Sequence, residues 1–311
     1  MRIVFFGTPE FAVESLQAII DEGHEVVAVV TAPDRPGGRG NKLIESDVKK
    51  FAMENGLPIL QPEKLRDETF LSTLKSLDAD VFVVIAFRML PELVWGIPPK
   101  GTFNLHASLL PQLRGAAPIN HAIIQGFKNT GVTTFFINSE IDKGEILLSS
   151  SVPIDDDDDA GTLHDKLKER GAKVVIETLK GIEDGSLTPT PQPQADFFTP
   201  APKIFKPDCK IDFSKTAREV ERMVRGLSPY PGAWSYLRLK DGKEIEVKIL
   251  KCTPLFENRE KEPGSCEIVS KALTAATGDG GAIRIDTIQP AGKKPMDGRA
   301  FLAGYAPQLF F

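Results

Sequence analysis

Arg2-Ile3-Val4-Phe5-Phe6-Gly7-Thr8-Pro9 opens the chain, and Glu25-Val26-Val27-Ala28-Val29-Val30-Thr31 follows one helix length later. Both are short apolar runs with β-branched or aromatic side chains, the pattern of strands buried on both faces. Between them, residues 9–21 place Ala12, Leu16, Ile19 and Ile20 on one helical face. Thr8 is placed to cap that helix, Pro9 suits its first position, and Gly23 ends it. Strand, helix, strand at this spacing predicts a parallel βαβ unit and hence an α/β fold with a Rossmann-like, parallel-rich sheet. The first turn carries only Gly7, not the G-x-G-x-x-G that lets a backbone approach a pyrophosphate, which argues against a nicotinamide dehydrogenase.

Further along, residues 46–55 and 67–77 read as helices, residues 57–60 as a short strand, and residues 80–86 as another central strand. The intervening residues 32–47 hold three glycines, two prolines, Arg35, Arg39 and Lys42. That composition predicts a flexible cationic loop able to meet phosphate or carboxylate, and a solvated surface loop would look the same. The chemistry gathers at Phe103-Asn104-Leu105-His106-Ala107-Ser108-Leu109-Leu110-Pro111-Gln112-Leu113-Arg114-Gly115. Alternation places Asn104 and His106 on one face as a strand runs out into a loop. An amide beside an imidazole can polarise a carbonyl and manage a proton. Taken alone, Asn-x-His reads equally as a strand end whose polar side chains satisfy nearby backbone.

Residues 117–125 form a predicted helix carrying Asn120 and His121. Residues 132–136 and 146–152 are predicted strands, with Asp142 in a turn between them. Asp155 to Asp159 match no calcium loop and read as a solvated turn. Thr162 and Asp165 are expected to cap the next helix, which runs to about residue 184 and bears a structural His164. Pro189, Pro191, Pro193, Pro200, Pro202 and Pro207 then crowd a stretch without periodicity, expected to be a semi-rigid linker. Beyond it lie an amphipathic helix over residues 216–226, with Arg218, Arg222 and Arg225 on its polar side, and five short predicted strands. Those strands suggest a small OB-like β-barrel. The expected division is residues 1–187 as a catalytic domain, 188–206 as linker and 207–311 as the barrel.

Composition sets bounds. With 41% hydrophobic and 26% charged residues the chain is that of an ordinary globular protein, and no apolar run approaches the length of a membrane span. Cys209, Cys252 and Cys266 lie far apart and form no C-x-x-C, so they are expected to be reduced thiols of a cytoplasmic protein. The net charge of −5 is unevenly spread: residues 203–311 hold 19 Lys and Arg against 14 Asp and Glu, a net +5, and residues 1–202 are net −10. Such asymmetry hints at a polyanion partner for the basic part.

Asn104-Leu105-His106 with Ser108-Leu109-Leu110-Pro111 and Arg114-Gly115-Ala116-Ala117-Pro118-Ile119 resembles the signature of the folate-dependent formyltransferases. Phe5 to Ala12, Pro33 to Leu43 and Pro229-Tyr230-Pro231-Gly232-Ala233-Trp234 resemble the branch of that family that formylates methionyl-tRNA. The resemblance spans the chain from its first strand to its basic end. It implies transfer of the formyl group of 10-formyltetrahydrofolate to the α-amino group of initiator methionyl-tRNA for translation initiation, with no metal and no membrane partner. It implies Asn104, His106 and Asp142 as catalytic groups, with Asp142 paired to His106. It also implies Ser108, Leu109, Leu110 and Pro111 around the folate, and Arg35, Arg39 and Lys42 against the tRNA. A monomer is expected.

Three places depart from the family pattern: Ala86-Phe87-Arg88 where Ala-Tyr-Gly is commoner, Lys143 where Thr is usual, and Ser228 where Asn is usual. None removes a catalytic group. Two rival readings are a formyltransferase for an amino sugar nucleotide or a purine-precursor amine, and an RNA-binding module with a decayed enzyme domain. The basic end and the loop of residues 32–47 favour tRNA over the first rival. The intact Asn104, His106 and Asp142 speak against the second.

Overall fold

Strands β1 (Arg2–Gly7) and β2 (Glu25–Val30) pair in parallel across helix α1 (Val13–Asp21), with Phe5 opposite Val29, as their hydrophobic pattern demands. This is a computed structural model that describes residues 1–37, 42–193, 198–256 and 261–311, without the Lys42 side chain. Thr8 does not cap α1. Pro9 is extended and a 3-10 turn, Glu10–Ala12, precedes the helix. Gly7 is required for packing rather than for phosphate: a Cβ there would lie 2.7 Å from the Phe5 ring and 2.9 Å from Ala12 Cβ.

The predicted loop after β2 forms a two-stranded hairpin, β3 (Arg35–Gly37) and β4 (Lys42–Ile44). Helix α2 (Asp47–Glu54), capped by Ser46, leads to β5 (Ile59–Leu60). Then come α3 (Glu68–Ser76), β6 (Val81–Ile85), the single turn α4 (Glu92–Trp95) and β7 (Thr102–His106). Helix α5 (Pro118–Ile124) precedes β8 (Asn129–Phe136), β9 (Ile146–Pro153) and the long α6 (Ala160–Glu183). Asp159, not Thr162, caps α6: Thr162 N–H donates to Asp159 Oδ1 at 2.9 Å, and Asp159 N–H donates to Thr162 Oγ1 at 3.0 Å.

The large sheet runs β5-β2-β1-β6-β7-β8-β9, parallel as far as β7 and antiparallel beyond it. Phe5, Phe6, Phe82 and Phe103 are wholly buried, and each such side chain contributes roughly 1.5–3 kcal/mol relative to exposure. Strand order reverses between β1 and β6, so the carboxyl ends of β1, β6 and β7 border the place where open α/β sheets bind ligands.

Helix α7 (Ala217–Leu227) begins with a Thr216–Glu219 capping box. It packs on an antiparallel sheet of β10 (Ala233–Leu239), β11 (Glu244–Leu255), β12 (Cys266–Val269), β13 (Ala272–Ala276) and β14 (Ala282–Pro290). The last residues add elements that residue patterning does not predict: β15 (Met296–Asp297), α8 (Gly298–Gly304) and β16 (Pro307–Phe310). Strand β16 pairs with β10, and a Ser265–Leu309 bridge joins it toward β12, so six strands nearly close a barrel. Burial pushes the thiols of Cys209, Cys252 and Cys266 up, that of Cys266 to about 12, so they are protonated at neutral pH.

Two compact units result. The first gathers residues 1–115, 129–153 and 164–201, and the second gathers residues 116–128, 154–163 and 202–311. Among the described residues no helix is long and apolar enough to cross a membrane.

Candidate active site

Strand β7 ends the parallel part of the sheet, with Asn104 between Val84 and Phe135 and His106 opposite Thr133. The alternation holds: Phe103 and Leu105 are buried, while Asn104 and His106 share the other face. Asn104 is half-buried, and among the described residues its side-chain amide makes no hydrogen bond to the protein. The amide is not sealed from solvent, so it is available to a ligand. His106 is 7% exposed and its Nε2 meets the Leu113 carbonyl at 2.9 Å. A carbonyl only accepts, so Nε2 carries the proton, and Nδ1 has no hydrogen-bond partner among the described residues and is not sealed from solvent.

Asp142 takes a left-handed backbone, φ +55°, in the turn between β8 and β9. Its Oδ2 accepts from Gly115 N–H at 3.0 Å. The expected direct pairing of Asp142 with His106 is not made: among the described residues no hydrogen bond joins them. Leu113, itself left-handed at φ +59°, presents its carbonyl to the imidazole, while Gly115 takes the carboxylate. The two catalytic candidates are therefore fastened two residues apart on one turn. Gly115 at φ +127° cannot be replaced without strain, since a Cβ would lie 2.3 Å from Ala201 O.

The loop after His106 is built inward. Ser108 is wholly buried, its Oγ donates to Gln112 O at 2.6 Å, and its carbonyl accepts from Thr133 Oγ1 at 2.7 Å. Leu110 is buried with its N–H on Thr133 Oγ1 at 3.2 Å. Of the four residues expected around a folate, Leu109 and Pro111 are the half-buried ones.

The departures from the family pattern are absorbed locally. Phe87 meets Phe6 edge-on at 5.6 Å, and the Arg88 guanidinium donates to the carbonyls of Pro62 and Glu63. Lys143 turns to Glu140 at 2.5 Å, and buried Ser228 accepts from Gly161 N–H at 3.2 Å.

Of the cations expected against RNA, Arg35 lies exposed on β3 and the Lys42 backbone on β4, whereas Arg39 falls outside the described residues. His121 Nε2 meets Pro202 O at 3.0 Å, and His164 packs against Phe11. The sequence shows no cluster of His and Cys for a metal, but the fold does bring Glu10, His164 and Asp165 together. The Lys168 ammonium is bonded to Glu10 there, at 2.5 Å, and fills the place of a cation.

Patterning also misses three site residues. Leu113 and Gly115 act through backbone groups. Gln192, inside the Pro-rich stretch, binds Asp142 O at 2.8 Å and Gly144 O at 2.9 Å. Leu113 and Gly115 lie in the loop that the sequence singles out, but no residue type assigns them these backbone roles, and nothing marks Gln192.

Comparison with known proteins fits this geometry. The formyl transferase family pattern matches residues 1–179, and that of the formyl transferase C-terminal domain matches residues 203–306. A methionyl-tRNA formyltransferase of Parabacteroides distasonis is 48% identical over 310 residues, covering 98% of this chain and 96% of that one. One from Bacteroides fragilis is 46% identical over 308 residues, covering 98% and 95%. In fold, the chain resembles HypX from Aquifex aeolicus in complex with tetrahydrofolic acid, with a TM-score of 0.63, 21% identity, and coverage of 98% of this chain and 47% of that one. It resembles the sugar 3N-formyl transferase WlaRD equally well, with a TM-score of 0.66, 20% identity, and coverage of 94% and 99%.

Proposed function

The chain belongs to the formyl transferase family, and we propose on that premise that it moves the formyl group of 10-formyltetrahydrofolate onto the α-amino group of methionyl-tRNA. The product is N-formylmethionyl-tRNA, for the initiation of translation. The observation that carries the chemistry is the free amide of Asn104 beside the free Nδ1 of His106, at the carboxyl end of β7. The Asn104 amide, and His106 Nδ1 when the ring is protonated, suit a carbonyl oxygen that gains charge.

The amine nitrogen bonds to the formyl carbon and the carbonyl pair moves to oxygen. Asn104 Nδ2 donates to that oxyanion, and His106 donates from Nδ1 when protonated. As the tetrahedral centre collapses, the bond from carbon to folate N10 breaks, and N10 takes up a proton while the amine loses one. Asp142, with Oδ2 on Gly115 and Oδ1 without a hydrogen-bond partner among the described residues, accepts the amine proton directly or through water. His106 returns a proton toward N10. Leu109 and Pro111 flank the folate, whereas Ser108 and Leu110 shape the turn that holds them.

Residues 1–187 do the chemistry in this reading, and residues 207–311 of the basic end hold the RNA. The segment 203–311 carries the net +5. Arg35, Arg39 and Lys42 meet the acceptor end. The protein works as a monomer in the cytoplasm. The test offers 10-formyltetrahydrofolate with methionyl-tRNA, free methionine and an amino sugar nucleotide in parallel. Formyl is expected on methionyl-tRNA alone, and transfer to the sugar nucleotide in its place would overturn the assignment.

A further inference from the structure

Gln192 belongs to the stretch whose prolines suggest a semi-rigid linker, yet its side chain is fully committed. Nε2 donates to Asp142 O at 2.8 Å and to Gly144 O at 2.9 Å. Oε1 accepts from Arg114 Nε at 3.1 Å and from Arg114 Nη2 at 2.5 Å. An amide offers two donors and two lone pairs, and all four are used. A flipped amide would set its NH2 against the guanidinium and its oxygen against two carbonyls, so one orientation alone fits.

The backbone that carries Gln192 is registered on both sides. Before it, Thr190 and Ile146 exchange hydrogen bonds at 2.8 and 2.9 Å. After it, Thr199 O accepts from Leu113 N–H at 2.7 Å, and Ala201 N–H donates to Arg114 O at 2.8 Å. Arg114 also lies over the Phe198 ring, 4.9 Å from its centre. Residues 190–193 and 198–201 thus tie down the two turns of the site, that of Leu113 to Gly115 and that of Asp142 to Gly144. Asp142 sits in a left-handed conformation, φ +55°, which Asp tolerates better than most residues and which the bonds on either side of it fix here. Gly115 holds its carboxylate and Gln192 its carbonyl.

We infer that Gln192 is a positioning residue for the transfer reaction, fixing the Asp142 carboxylate by clamping the Asp142 turn to Arg114. The inference rests on the reading that Asp142 handles the proton in formyl transfer. It does not need Gln192 to touch either substrate.

Gln192→Ala removes both sides of the clamp. Gln192→Glu keeps length and the bond from Arg114, but turns an oxygen on two carbonyls. Both variants should lower the single-turnover rate constant with methionyl-tRNA by roughly 10- to 100-fold, the scale of a slightly misplaced catalytic group. Affinity for 10-formyltetrahydrofolate should stay within about twofold, since the clamp faces no folate-binding side chain. In an Asp142→Asn background the same changes should add almost nothing, because both act on one step. Amide exchange gives a reading that needs no activity: Gly115 N–H should lose protection in Gln192→Ala while the amides of β6 and β7 keep theirs.

A full rate with Gln192→Glu would overturn the inference and leave only the Arg114 bond. Equal losses with and without Asp142, or unchanged exchange at Gly115, would also overturn it. Wild-type protein inert toward methionyl-tRNA would instead overturn the functional reading. The exchange result would still decide whether Gln192 holds the turn.

Discussion

Among the described residues, Asn104 keeps an unpaired amide where its neighbours Phe103 and Leu105 are packed away, and His106 keeps one free ring nitrogen. Groups left this way lower a barrier only if they grip the transition state more tightly than the substrate. Asn104→Ala should therefore cut kcat by roughly 10²–10³-fold, as removal of an oxyanion donor does elsewhere. Folate affinity, followed by fluorescence titration, should hardly move. A parallel rise in KM with kcat intact would assign Asn104 to binding instead. Alternation along β7 made Asn104 and His106 legible in the sequence. Asp142 was not legible that way, since an Asp before a glycine is ordinarily a turn former, and only the family resemblance singled it out. The bond from His106 to Leu113 was hidden altogether. It depends on a left-handed leucine, a conformation that leucine as a residue type does not announce.

Among the elements, the hairpin β3–β4 stands on an ion pair at its base. Lys49 bonds to Asp34 and, at 2.8 Å, to Glu45, while Gln61 Nε2 donates to Asp34 Oδ1 at 2.8 Å. The Lys49 ammonium foremost, then Gln61, holds the Asp34 carboxyl below its ordinary range. Asp34 and Glu45 in turn raise Lys49. A depressed carboxyl stabilises the fold fully above its unfolded pKa, about 3.9, and loses that contribution as pH falls through the folded value. A raised lysine stabilises fully below about 10.4 and loses its contribution above. Asp34→Asn should thus melt below wild type at pH 7, with the gap closing as the pH falls below about 3.9. A gap that persists in acid would show that packing, not charge, anchors the hairpin. Arg39→Ala should lower kcat/KM for methionyl-tRNA by about 1.5–3 kcal/mol, the worth of a charged hydrogen bond, and spare folate binding. Equal kcat/KM in mutant and wild type would make Arg39 a solvated bystander. Glycines and prolines made residues 32–47 read as loop, because three ladder residues on each side are too few to show a period of two.

Across the whole molecule, charge was the most legible property, while chain order hid how the units are assembled. Residues 116–128 and 154–163 group with residues 202–311, so Asn120 Nδ2 donates to Gly226 O at 2.8 Å and Ile124 crowds Gly226. No local pattern marks a pairing so distant in sequence. It also means that cutting the chain near residue 207 would strip these segments of their core, so substitutions test RNA binding more cleanly than truncation. Lys203, Lys206 and Lys210 stand by Phe205, Trp234 and Tyr236, and two of the three lysines line a cavity of about 570 Å³ in the second unit. Replacing all three with Gln should flatten the plot of log affinity for methionyl-tRNA against log salt by roughly 0.7–0.9 for each phosphate that is no longer neutralised. An unchanged slope would move the RNA elsewhere. Everything in the proposed chemistry turns on Asn104, His106 and Asp142 acting together in formyl transfer to methionyl-tRNA. Single-turnover kinetics at saturating 10-formyltetrahydrofolate, with wild type beside Asp142→Asn, put that to the sharpest trial. The rate constant should fall by orders of magnitude with folate affinity nearly unchanged, and a mutant within about threefold of wild type would contradict the catalytic role of Asp142.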